Sequence, residues 1–203
     1  MSQGGRMEML VSGDPIAMFQ AWLGEARQAG VSLPECVALA TVNSETQPSV
    51  RMVLLKDCDA NGFVFYTNLS SCKAADLAVN PRAALCFHWR ELGRQVRVEG
   101  QVAPVDDAEA DAYFASRPRE SQLGAWASTQ SAELTHREEL LRRFQETEQY
   151  YAGRDVPRPS FWSGYRLKPA RIEFWQEMPH RLHDRVLYIR AETGDWSPRR
   201  LYP

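Results

Sequence analysis

Arg181, His183 and Arg185 crowd one short stretch, PHRLHDR, residues 179–185. Read as an extended strand, alternation sends these three to one face and Leu182, Asp184 and Val186 to the other. Like charges at i, i+2 repel, so such a face calls for an anion, an acidic neighbour or water. Other segments repeat the theme. Ser70, Ser71 and Lys73 open an expected helix over residues 70–81, where free N–H groups and the positive dipole end gather anions. A capped helix with a solvated lysine is the plainer explanation of that feature alone. Arg51 and Lys56 bracket the apolar run RMVLLK, and their odd separation points them to opposite faces. That is either a core strand with charged ends or a strand flanked by two different anionic groups.

Tyr113 and Arg117 lie four apart, on one face of an expected helix, and Ser121 follows just past Pro118. A phenol, a guanidinium and a hydroxyl together satisfy three phosphate oxygens. Gln95 and the pair Gln130-Ser131 add neutral donors suited to a heterocycle's edge or to phosphate. No G-x-S-x-G and no G-x-G-x-x-G occurs, which removes the usual signals of a serine hydrolase and of a Rossmann dinucleotide site. Residue chemistry alone therefore reaches a β-rich protein with several anion-ready sites, enough for a phosphorylated cofactor plus a phosphorylated substrate.

The chain that must position these groups has 203 residues, a formal net charge of −2, 44% hydrophobic and 25% charged residues. That suits one sizeable core and gives no electrostatic reason to expect nucleic-acid binding. No apolar run reaches about 18 residues, so no transmembrane helix is expected. Residues 1–13 lack an apolar signal core and read as a mobile arm. Four widely spaced cysteines, none in C-x-x-C, argue against a zinc site or a disulfide framework and suit a reducing cytoplasm.

Asp14 and Pro15 open an amphipathic helix with Ile16, Phe19, Trp22, Leu23 and Ala26 on one face and Gly30 as its stop. Strand-like runs follow at 36–42, 49–57, 62–68, 83–89 and 94–105, interrupted by the helix at 70–81. Two helices are expected over 106–118 and 135–151, the second supported by Glu138–Arg142 and Glu139–Arg143 pairs. Strand signals return at 165–176 and 181–192. The pattern is mainly β with peripheral helices, an antiparallel sheet or barrel forming one domain over 14–203.

Taken together and in order, RMVLLK, FVFYTN, RQVRVEG, YFASRPRESQLGAWAS with its following QS, IEFWQ, RLHDR and the final RRLYP resemble the pyridoxine (pyridoxamine) 5′-phosphate oxidase family. The resemblance runs from about Asp14 to the end of the chain. It implies an FMN-binding split β-barrel, assembled as a homodimer with FMN at the subunit interface. By position, it implies FMN contacts at Arg51, Met52, Val53, Leu54, Leu55, Lys56, Tyr66, Thr67, Lys73, Gln95, Gln130, Ser131, Trp175 and Arg185. Substrate phosphate falls to Lys56, Tyr113, Arg117 and Ser121, and the pyridine ring and reacting carbon to Arg181, Leu182 and His183. Arg181 and His183 are the implied catalytic pair, neither assigned as an obligate base. The implied reaction oxidises the 4′-carbon of pyridoxine or pyridoxamine 5′-phosphate to pyridoxal 5′-phosphate, with O2 as acceptor and H2O2 as product.

Two positions depart from the family pattern. Cys72 stands beside Lys73 where an arginine is usual, which predicts weaker hold on FMN phosphate. Glu177, followed by Met178-Pro179, stands where glycine usually follows FWQ. The alternatives are a split-barrel flavin oxidase of the phenazine-biosynthesis type, less similar at SRPRESQLGAW, and a flavin- or pyridoxal-phosphate-binding protein whose catalysis has decayed.

Overall fold

The computed structural model describes residues 13–203. All but the last residue of the expected N-terminal arm lies outside them. Helix α1 (Pro15–Gln28) is followed by β1 (Cys36–Val42), β2 (Pro48–Asp59), β3 (Gly62–Asn68), α2 (Cys72–Val79), β4 (Arg82–Trp89) and β5 (Arg94–Pro104). Helices α3 (Asp107–Ser116), α4 (Arg119–Ala127) and α5 (Arg137–Tyr150) then precede β6 (Trp162–Gln176), β7 (Asp184–Arg190) and β8 (Trp196–Arg200).

Every strand pairing is antiparallel. The order β3-β2-β1-β4-β5-β6 closes on itself through β3–β6, a six-stranded barrel, and β7–β8 extend from β6. The 15-residue β6 does both jobs: residues 162–167 pair with β3, and residues 171–176 pair with β7. Gly100 sits at the β5 bulge where β6 presses close; a Cβ there would lie 2.1 Å from the Lys168 carbonyl oxygen.

Alternation fills the barrel. Val37, Leu39, Leu85, Phe87, Val96, Val98, Ile172 and Phe174 all point inward and are buried. Helix α1 brings Phe19 against Phe63 and Phe87, with ring centroids 4.9 and 4.8 Å apart, and Trp22 edge-on to Phe174. Asp14 caps that helix, accepting from the Ile16 N–H at 3.0 Å. β3 reads as an unbroken apolar run because α3 covers its outer side, packing Ala110 on Val64. The outer face of β2 is uncovered in the single chain: Val50, Met52 and Leu54 are 67%, 59% and 38% exposed. Beside them lie the small residues Ala38 and Ala40, which in turn pair with Cys86 and Ala84.

Three expectations need correction. The stretch 181–183 is not strand: β7 starts at Asp184, and Pro179–Arg181 forms a single 3-10 turn with His180 and Arg181 at φ 58° and 62°. Proline removes a ladder donor and turns the chain out of β6, so the expected alternation of Arg181, His183 and Arg185 does not arise. Arg117 is not on the helix of Tyr113; Pro118 forces it into extended backbone (ψ 150°) just past the end of α3. On α5, Arg142 turns toward Glu146 (2.6 Å) instead of Glu138, and Arg143 donates to Thr129 instead of pairing with Glu139. Helix α4 and strand β8 were not anticipated at all.

Candidate functional site

A cavity of about 590 Å³ lies between the outer side of β2, the end of β3, the N-terminus of α2 and the α3–α4 connection. Lys56, Lys73 and Arg117 line it, and no carboxylate among the described residues does. Such a lining favours anions, because cations inside a shielded cleft are otherwise neutralised only by solvent.

At one end, Lys73 Nζ donates to Thr67 Oγ1 (3.1 Å), Ser71 Oγ (3.1 Å) and Gln130 Oε1 (2.8 Å). All three acceptors are neutral, so the ammonium is oriented without being neutralised. Burial, then the nearby Arg51 charge, holds its pKa below the ordinary lysine value, with Cys72 opposing. The Cys72 backbone N–H, in the first turn of α2, reaches Ser131 Oγ at 3.3 Å. Arg51 lies within electrostatic reach of Lys73 and Cys72 but faces the other way from Lys56, as its spacing predicted. It donates to Leu39 O, Thr41 Oγ1 and Ser49 Oγ, and sits 3.7 Å from Asp76. Burial lowers its pKa, partly countered by Asp76. Arg51 therefore borders the cluster from beneath rather than lining the cavity.

At the other end, Tyr66, Tyr113 and Trp162 form a stack, with Tyr66–Tyr113 centroids 3.9 Å and Tyr66–Trp162 centroids 5.3 Å apart. Gly164 makes room for it: a Cβ there would lie 2.8 Å from the Tyr66 ring. Arg117 lies over Trp162 (4.8 Å) and Phe114 (5.4 Å), and its buried Nη1 has no hydrogen-bond partner among the described residues. Lys56 Nζ lies 5.9 Å from the Tyr113 ring centre, and Ser121 shares the lining. Tyr66, Thr67, Met52, Val53, Leu54 and Gln130 complete the expected residues here. Leu55 turns its side chain into the barrel and is buried.

A second group gathers elsewhere on the same chain. Gln95, Trp175 and Arg185 occupy one cross-strand row, Gln95 opposite Trp175 and Trp175 opposite Arg185. The His183 ring packs on Trp175 at 4.6 Å, and its Nδ1 accepts from the Met178 N–H at 3.2 Å. That bond puts the hydrogen of the neutral ring on Nε2. Arg181 and Leu182 are exposed beside it. None of these residues lines the cavity of their own chain. Glu177 packs on Gly93, whose carbonyl accepts its N–H at 2.8 Å, so the residue departing from the family pattern is accommodated at a left-handed glycine. Trp162, Phe114 and Gly164 belong to the site but were not anticipated; the aromatic-glycine run FWSG was the available signal for Trp162 and Gly164.

Two family models cover most of the chain: pyridoxamine 5′-phosphate oxidase over residues 23–151, and pyridoxine 5′-phosphate oxidase C-terminal dimerisation region over residues 162–203. The chain belongs to the pyridoxamine 5′-phosphate oxidase family. It is 53% identical to the pyridoxine/pyridoxamine 5′-phosphate oxidase of Sphingopyxis alaskensis over 197 residues, 97% of this chain and 91% of that one. The protein of the same name from Brucella anthropi is 53% identical, covering 95% of both chains. Among solved structures, PhzG from Burkholderia lata 383, in complex with tetrahydrophenazine-1-carboxylic acid, matches with a TM-score of 0.90 at 34% identity, over 95% of this chain and 94% of that one. A pyridoxamine 5′-phosphate oxidase-related, FMN-binding protein from Nostoc punctiforme shares the fold, with a TM-score of 0.76 at 17% identity, over 95% of this chain and 100% of that one.

The cavity of this family member fits a flavin phosphate on its own chemistry: an acid-free lining, an un-neutralised lysine and backbone N–H groups at the α2 N-terminus. Cys72 is exposed there and contributes no charge-assisted donor. Replacing it with arginine adds one, worth about 1.5–3 kcal/mol. Cys72→Arg is therefore expected to bind FMN roughly tenfold or more tightly by fluorescence titration. Equal affinities would show that the position does not limit FMN binding.

Proposed function

We propose that the protein is an FMN-dependent oxidase converting pyridoxine or pyridoxamine 5′-phosphate to pyridoxal 5′-phosphate, with O2 as electron acceptor and H2O2 as product. One observation carries the reading: among the described residues, the cavity has no acid in its lining and two separated cationic ends, one holding the buried Nη1 of Arg117 without a partner. Two phosphate groups, one of cofactor and one of substrate, match two such ends. The family relatives bearing the oxidase name point the same way.

In this reading Lys73, Ser131, Gln130 and the Cys72 N–H hold the FMN phosphate, with Arg51 reinforcing the field from below. Met52, Val53, Leu54, Lys56, Tyr66 and Thr67 form the wall along the cofactor, and Leu55 offers only its backbone. Lys56, Arg117, Ser121 and Tyr113 hold the substrate phosphate, and the Trp162 stack keeps Arg117 aimed inward. Bound there, FMN supplies the acceptor for hydride from the substrate's 4′-carbon and the route by which O2 becomes H2O2. The alcohol substrate loses hydride and a proton to become the aldehyde; the amine also consumes water and releases ammonia.

Gln95, Trp175, Arg181, Leu182, His183 and Arg185 serve the same site from a second copy of the chain. The exposed Val50, Met52 and Leu54 ladder provides an apolar seam for that copy, and residues 162–203 match a dimerisation region. In the assembled site His183 Nε2–H donates toward the substrate ring, and Arg181 offsets charge developing near the reacting carbon. The exposed Arg181 guanidinium has no partner among the described residues, leaving its donors available. The strained turn at His180 and Arg181 fits a segment set by the site rather than by the ladder. The four free cysteines support a reducing, cytoplasmic setting.

Protein reconstituted with FMN and given pyridoxine 5′-phosphate in air is expected to form pyridoxal 5′-phosphate and peroxide in equal amounts. Flavin binding without aldehyde formation would favour the decayed or phenazine-type alternative.

A further inference from the structure

Glu173 is a carboxylate where a sheet has no evident use for one. It lies on β6 and its side chain is only 8% exposed, a placement whose desolvation cost has to be offset by close charged partners. Its two oxygens are divided between two arginines. Oε1 accepts from Arg185 Nε at 2.9 Å and lies 2.8 Å from Nη2; Oε2 accepts from Arg97 Nη1 at 3.3 Å. Arg97 also contacts Glu99, so its charge is shared, while Arg185 has Glu173 as its sole carboxylate contact among the described residues. The third nitrogen of Arg185, Nη1, donates to the Tyr202 carbonyl at 2.9 Å, and the Leu201 N–H returns to the Arg185 carbonyl at 3.0 Å.

These contacts occupy three of the five N–H donors a guanidinium carries and leave two, in a fixed plane, for something outside the chain. The geometry differs from an ordinary cross-strand pair. Glu173 lies opposite Leu187 and Arg97, while Arg185 lies opposite Trp175, so the fork reaches diagonally across β6–β7. It thereby draws the Arg185 head off its own row with Trp175 toward the neighbouring row of Glu173.

We infer that Glu173 is a positioning residue: its carboxylate, with the Tyr202 carbonyl, fixes the guanidinium of Arg185 in the orientation that meets the flavin. This rests on the reading of Arg185 as a flavin contact. Glu173 does not touch the cofactor; it acts through Arg185. An apolar residue there would leave Arg185 without its carboxylate partner, held only through the Tyr202 carbonyl.

The test is FMN titration of apo-protein, followed by flavin fluorescence, for wild type, Glu173→Gln, Glu173→Asp, Arg185→Ala and the double variant Glu173→Gln/Arg185→Ala. Glu173→Gln is expected to weaken FMN binding about tenfold or more. Glu173→Asp, which keeps the charge on a shorter stem, is expected to fall between it and wild type. In the Arg185→Ala background, Glu173→Gln is expected to have no further effect, a non-additivity that a general loss of packing would not produce. If Glu173→Gln does not fold, Glu173→Asp carries the same cycle with the same expected non-additivity. Wild-type affinity in the Glu173 variants, or losses that multiply in the double variant, would overturn the inference while leaving the proposed function standing. Failure of the wild type to bind FMN would overturn both.

Discussion

Arg117→Met is expected to lower kcat/KM for pyridoxine 5′-phosphate by roughly 10–150-fold, the value of one lost charge-assisted contact of about 1.5–3 kcal/mol. It is also expected to leave the protein at least as stable. Both expectations come from one atom. Arg117 Nη1 is buried without a partner among the described residues, and burial holds the guanidinium pKa below its ordinary value. An unpaired buried donor is a standing cost in the folded chain, of about 1–3 kcal/mol. Methionine keeps the aliphatic stem on Phe114 and Trp162 and removes that cost. Steady-state kinetics and thermal unfolding check the two halves. Loss of activity with unchanged or raised Tm fits a group strained for binding. Loss of both would make Arg117 a structural residue, and unchanged kinetics would take it out of the phosphate site. FMN affinity is expected to stay at the wild-type value, since the cationic end it serves is not the Lys73 end.

Lys73→Ala is expected to weaken FMN by roughly 10–150-fold while changing affinity for riboflavin, which lacks the phosphate, by much less. The three oxygens that hold Nζ are hydroxyl and amide groups, so its charge is available to an incoming anion. Asp76 accepts instead from Thr41 at 2.6 Å and lies beside Arg51, which keeps the nearby carboxylate occupied. Titration with both flavins separates charge from shape: equal losses for FMN and riboflavin would mean that Lys73 shapes the cavity instead of reading phosphate. A pH dependence follows. Because burial and Arg51 lower the Lys73 pKa, the charge is lost earlier on raising pH than for a free lysine. FMN affinity in the wild type is therefore expected to decline on the alkaline side below the ordinary lysine range, and Lys73→Ala to abolish that decline.

Much of this arrangement was legible in the chain before any coordinates. Short-range rules placed β1, β3 and the buried face of α1, because alternation, Asp14 capping and turn residues act within a few positions. The opposite facing of Arg51 and Lys56 likewise needs only strand parity. Other features were not legible, two because a proline overrode the local pattern and the rest because they depend on strand register. The 181–183 segment looked extended from its alternating charges, but Pro179 and two left-handed residues take it out of the ladder. Arg117 was placed on a helix that Pro118 ends one residue earlier. The fork on Glu173 was invisible because it joins residues 12 apart through strand register. The division of the expected site between a cavity at β2, α2 and α3 and a row on β5–β7 also has no local signature. Which strands line the cavity and which carry the second row is set by strand order and closure, not by neighbours in sequence.

The central claim, that this cavity reads phosphate and directs oxidation at the carbon beyond it, is tested most directly without oxygen. FMN-loaded protein under argon is mixed with pyridoxine 5′-phosphate, or with unphosphorylated pyridoxine at the same concentration, and the flavin absorbance is followed. The account predicts rapid bleaching with the phosphorylated compound, an equal yield of pyridoxal 5′-phosphate, recovery of colour on admitting air, and far slower bleaching with pyridoxine. Flavin that stays oxidised with the phosphorylated compound, or bleaches equally fast with both, would contradict it.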